Sequence, residues 1–75
     1  MKKNIMLVTI EDIKEFTNIA SRYGDMLTIK SGRYVVPACS IMSVMSLNLS
    51  EPVRLCFDDE YVNAIALDFK KWIVE

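Results

Sequence analysis

The hydrophobic and polar positions of this chain change period several times, and each change predicts an element. Asn4-Ile5-Met6-Leu7-Val8 is an apolar run short enough for a strand, and its lack of clean alternation predicts cover on both faces. From Thr9 the period becomes helical. Thr9 and Asp12 have the spacing of a capping box with Asp in the place of Glu, and Val8 with Ile13 can form the accompanying hydrophobic staple. Ile13, Phe16, Ile19, Ala20 and Tyr23 share one stripe, Lys14, Glu15 and Asn18 lie elsewhere, and Gly24 supplies a stop. Met26–Lys30 and Arg33–Val36 then flank Ser31-Gly32, a two-residue connection suited to a tight antiparallel hairpin.

After Pro37, Ser40 is a favoured N-cap residue for a short helix reaching Leu47. At about 100° per residue, Ile41, Met42 and Met45 fall on one arc and Val44 and Leu47 on another, so one buried face cannot absorb both. A wholly buried core helix is the plainer reading, because Ser43 and Ser46 leave little polar surface. The sharper reading makes Ile41, Met42 and Met45 a docking patch for a protein partner, since flexible, polarizable methionines suit such surfaces. Asn48 to Pro52 reads as a turn into Val53–Phe57, where Val53, Leu55 and Phe57 alternate with Arg54 and Cys56 as in a half-buried strand. Asp58 or Asp59 can cap a final helix with the stripe Val62, Ile65, Ala66, Phe69, Trp72 and Ile73, and Lys70 and Lys71 suit its C-terminal end. Phe16, Ile19, Leu55, Ile65 and Phe69 are the expected core. The order βαββαβα implies one α+β domain over residues 1–75, with helices on one face of a four-stranded antiparallel sheet; another α+β arrangement, such as a ferredoxin-like relative, fits the spacing equally.

Charge and composition narrow the chemistry. A net charge of -1 with a pI near 5.3 carries no electrostatic footprint for nucleic acid or an anionic membrane, so neither is an expected partner. No apolar run approaches a membrane-spanning length. Two cysteines, Cys39 and Cys56, are too few for a disulfide framework and no secretion signal is evident, which predicts a cytoplasmic protein with free thiols. The chain has no histidine. Cys39 therefore lacks a histidine base, two cysteines without histidine argue against a structural zinc site within one chain, and Asp58, Asp59 and Glu60 read as a solvated helix start rather than a metal or acid/base cluster. No catalytic residue, metal or cofactor is expected; the chain does not read as an enzyme.

Ser40-Ile41-Met42 and Val44-Met45-Ser46-Leu47, preceded by Ser31-Gly32-Arg33-Tyr34-Val35-Val36 and by Ala20-Ser21-Arg22-Tyr23, resemble the middle of HPr, the histidine-containing phosphocarrier of the bacterial phosphoenolpyruvate:sugar phosphotransferase system. By element order the resemblance covers nearly the whole chain and implies an HPr-like open-faced sandwich. It also implies that Ser40 stands where many Gram-positive members carry a regulatory phosphorylation site, and that Ile41, Met42 and Met45 match residues that dock partner proteins. The family's Gly-Ile/Leu-His-Ala-Arg-Pro loop is missing. Counting back from Ser40, the family's histidine and arginine positions fall at Thr9 and Glu11, and Glu11 and Asp12 place carboxylates where a helix N-terminus would attract phosphate. Catabolite-repression HPr offers a family precedent, for it lacks the phosphocarrier histidine, keeps the serine and acts through protein contacts. Cys39 departs from the basic residue often found at its place.

Two readings follow for the function. The first is a regulatory or adaptor module related to the phosphotransferase system, docking a protein through the Ser40–Leu47 helix under serine phosphorylation. The alternative is a diverged structural or small-ligand-binding protein of the same fold with no phosphotransferase-system role.

Overall fold

The computed structural model describes residues 2–74; Met1 and Glu75, the ends of the expected domain, lie outside the described residues. Four strands, β1 (Lys2–Ile5), β2 (Thr28–Ser31), β3 (Tyr34–Pro37) and β4 (Val53–Cys56), form one antiparallel sheet in the order β1-β4-β2-β3. Three helices, α1 (Ile10–Ala20), α2 (Ile41–Met45) and α3 (Val62–Asp68), complete the chain with short 3₁₀ turns. Alternation settles which sheet face they cover. Ile5, Ile29, Val53 and Leu55 point into the core and are at most 2% exposed, whereas Asn4, Lys30 and Arg54 on the other face are exposed. The expected open-faced α+β sandwich is thus present.

Aromatic rings fill the space between helices and sheet. Phe16 of α1 meets Phe69 at 5.0 Å and Trp72 at 5.7 Å between ring centroids, the second edge-on, the geometry favoured by ring quadrupoles. Phe16, Leu55, Ile65 and Phe69 are fully buried as expected; Ile19 is only half-buried at the margin of this core. Tyr23 donates a hydrogen bond to the Asp68 carboxylate, which ties the end of α1 to α3. Lys71 pairs with Glu15 and lies 5.0 Å from the centre of the Trp72 ring, joining the C-terminal segment to α1.

Several boundaries differ from the sequence pattern, each for a local reason. The first strand is Lys2–Ile5 rather than Asn4–Val8, because its last pair is Ile5 with Val53 and the next partner would be Pro52, which has no N–H to give a ladder. Beyond it Leu7 is buried but Val8 is 74% exposed, so no staple to Ile13 forms. The far edge of β1 is covered by the chain's end, where Met6 N–H donates to Trp72 and Val74 N–H to Asn4. The hairpin loop is Gly32-Arg33, not Ser31-Gly32, since Ser31 pairs with Tyr34. Gly32 has φ +59° at the first loop position, the place where a type II′ turn needs glycine.

Helix α1 stops at Ala20, and Gly24, at φ +59°, bends the 3₁₀ segment that follows rather than the α-helix itself. The final helix is shorter than its stripe implied. Ala66 is exposed, Tyr61 occupies the N-cap of α3 without a side-chain cap, and Asp58 makes no side-chain cap to the preceding 3₁₀ turn.

Candidate functional site

Helix α2 is held by its N-cap and by one buried side chain. Ser40 adopts extended φ/ψ, its hydroxyl oxygen accepts from Ser43 N–H at 3.4 Å, and its carbonyl accepts from Val44 N–H at 2.9 Å. Its O–H also donates to the Ser43 hydroxyl at 3.0 Å. Ser46 ends the helix as C-cap, so the regular part is five residues and Leu47 lies beyond it. A helix this short has little dipole of its own and depends on packing. Val44 supplies it, fully buried beneath the helix, while Ile41 and Leu47 are half-buried against the core.

The remaining apolar side chains of α2 face water. Met42 is 81% exposed and Met45 49% exposed. The expected division into two arcs is therefore visible, with one adjustment: Ile41 is shared between core and surface, so the exposed patch is chiefly the two methionines. Ser40 is half-exposed at their N-terminal side. Beside them, the outer flank of α1 from Glu11 to Ser21, with Cys39 and Ile41, borders an open groove of about 600 Å³. Its polar wall includes Lys14, Glu15 and Asn18, which the sequence pattern places off the Ile13–Phe16 stripe, and Ser21; nothing in the sequence marked them as a site.

Thr9 and Glu11, where the resemblance places phosphocarrier chemistry, lie at the start of α1. Thr9 is the N-cap, and its hydroxyl accepts from Asp12 N–H at 3.1 Å. The Asp12 carboxylate returns to accept from Val8 N–H at 3.2 Å and Thr9 N–H at 3.3 Å, completing the capping box. Hydrogen bonding from Val8 N–H chiefly, with Thr9, holds the Asp12 carboxyl below the usual carboxylate range. The buried Trp72 indole N–H approaches the same carboxylate without reaching hydrogen-bond geometry. An internal carboxylate thus sits where the amides opening α1 would otherwise meet an external anion.

Cys39 and Cys56 are both half-buried free thiols. Among the described residues no group of three or more His, Cys, Asp or Glu side chains could hold a metal ion, and no described helix is long and apolar enough to cross a membrane. The Asp58–Glu60 carboxylates lie exposed around a 3₁₀ turn.

No family model matches the chain, and no curated protein matches it. Its structure is similar to the crystal structure of HPr-C-His from Thermoanaerobacter tengcongensis, with a TM-score of 0.70 over 95% of this chain and 90% of that one. Sequence identity is 22%, so the likeness is one of fold, and the fold is HPr-like.

Proposed function

We propose that the chain is an HPr-like protein-interaction module without a phosphocarrier histidine, a regulatory or adaptor component of the cytoplasm related to the sugar phosphotransferase system. Its partner is a protein docked on Ile41, Met42 and Met45, and Ser40 is the residue whose phosphorylation controls docking. One observation carries the reading: α2 buries Val44 completely while presenting Met42 and Met45 to solvent on a helix with no charged residue. Neighbouring exposed methionines can repack against varied apolar surfaces, which suits them to partner recognition. Support also comes from the HPr-like fold combined with a sequence that holds no histidine. Histidine carries phosphoryl groups because its neutral ring is nucleophilic near neutral pH, and neither Thr9 nor Glu11 offers that chemistry.

A phosphate on Ser40 would add nearly two negative charges beside the methionines and displace the Ser40–Ser43 hydroxyl contact, changing the patch without reaching the core. The test is affinity capture from the native cytoplasm with wild type and with a Met42→Asp, Met45→Asp double variant. A stoichiometric protein retained by wild type and lost by the folded variant is the expected result; equal retention contradicts docking through α2.

A further inference from the structure

The helices leave one face of the sheet bare, and strand register decides which side chains meet there. Because β4 lies between β1 and β2, Arg54 stands opposite Asn4 on one side and opposite Lys30 on the other. One step along, Cys56 stands between Lys2 and Thr28. Lys2, Lys30 and Arg54 are exposed, and none forms an ion pair within the described residues. Like charges directly opposite on paired strands, about 5 Å apart at Cβ, oppose the pairing that brings them together. The core does not require them, because Ile29 and Leu55 bury themselves on the other face whatever stands at positions 30 and 54.

Two acids frame the cluster. Glu51, with Lys30, Ser31, Pro52 and Arg54, borders a polar cleft of about 420 Å³ at one end, and Asp58 shares a hollow with Lys2 and Thr28 at the other. Both stand at its ends, leaving the centre cationic. Val35, 60% exposed and opposite Lys30, adds an apolar shoulder on the same face.

We propose that this bare face docks an acidic peptide segment in extended conformation, read through two carboxylates spaced two residues apart. In an extended chain such side chains lie on one face about 6.5 to 7 Å apart, close to the roughly 7 Å between diagonal cross-strand neighbours such as Lys2 and Arg54. One carboxylate meets Lys2, and the next meets the Arg54–Lys30 pair, where the guanidinium fork can take it bidentately. Nucleic acid fits less well, since a chain of net charge -1 lacks the extended positive field that polyphosphate binding uses. The surface lies across the sheet from α2 and stands independently of docking there.

The experiment is a two-dimensional amide NMR titration of the whole chain with the peptide Ac-Gly-Glu-Val-Glu-Gly-NH₂, with its glutamine counterpart Ac-Gly-Gln-Val-Gln-Gly-NH₂, and with inorganic phosphate. Saturable shifts at Lys2, Lys30, Val35 and Arg54 with the glutamate peptide, weakened by added salt, are expected. A Lys30→Gln, Arg54→Gln double variant should bind about tenfold more weakly, as loss of charge-assisted hydrogen bonds implies, while melting no lower than wild type. Glu51→Gln should bind about threefold more tightly, the size of one exposed charge contact. Equal shifts with the glutamine peptide, the same shifts with phosphate at equal concentration, unchanged binding by the double variant, or shifts centred on α2 would each overturn the proposal.

Discussion

Replacing Val44 and Met42 by aspartate places the same charge at two positions of α2 with opposite surroundings. Val44 is fully buried and packs in the core cluster, so Val44→Asp forfeits about 1.5 to 3 kcal/mol of side-chain burial. The carboxyl must also either stay ionised without a partner or take up a proton, a further cost of a few kcal/mol. A domain of 75 residues holds in total about 4 to 11 kcal/mol. Val44→Asp therefore removes most of the stability or all of it. Met42 is 81% exposed, and Met42→Asp should stay within about 0.5 kcal/mol of wild type. Urea titration followed by the fluorescence of Trp72, the sole tryptophan, separates these cases. With a slope of about 1 kcal/mol/M for so small a chain, Met42→Asp shifts the midpoint by roughly 0.5 M or less, while Val44→Asp shows little or no folded baseline. Equal midpoints for the two variants would refute the division of α2 into a core face and a free face.

Three further outcomes concern Phe69, Asp12 and Ser40. Phe69→Ala removes a fully buried ring in contact with Phe16, Tyr23 and Trp72 and should cost about 3 to 5 kcal/mol, seen as a large drop in denaturation midpoint, whereas Leu67→Ala, at a position 77% exposed on α3 just before it, should leave it nearly unchanged. Because folding lowers the Asp12 pKa through the Val8 and Thr9 N–H groups, its stabilisation is complete above the unfolded carboxyl value near 4 and is lost as pH falls through the folded value; thermal melts from pH 6 to pH 2 should show a smaller acid-induced loss for Asp12→Asn than for wild type. Ser40→Asp keeps an N-cap acceptor and should melt within about 0.5 kcal/mol of wild type, whereas Ser40→Ala should cost about 1 kcal/mol, checked by parallel melts.

Long-period signals were legible in the sequence and single-residue register was not. The α1 stripe announced Phe16 and Ile13, and the Val53–Leu55–Phe57 alternation announced a half-buried strand, because burial of one face imposes those periods directly. Boundaries depend on partners far away in the chain. Where β1 stops is decided by Pro52 arriving opposite Met6, and which two residues make the hairpin loop is decided by Gly32 alone needing positive φ. The methionine patch was readable from helical angles, but Ile41 proved half-buried because the packing of α2 against α1 and β3 has no one-dimensional signature. Lys30 and Arg54 are distant in sequence, and only the central position of β4 makes them neighbours.

Site-specific photocrosslinking in native cells tests docking through α2 most directly. A photoreactive side chain at position 42 or 45 keeps the exposed geometry of Met42 and Met45, and the same group at position 67 of α3, at least as exposed as Met45, serves as control. One protein crosslinked from positions 42 and 45 but not from 67, and lost when Ser40 is changed to Asp, is the predicted result. Identical crosslinking from position 67, or none from 42 and 45 when the protein is present at its native abundance, would contradict it.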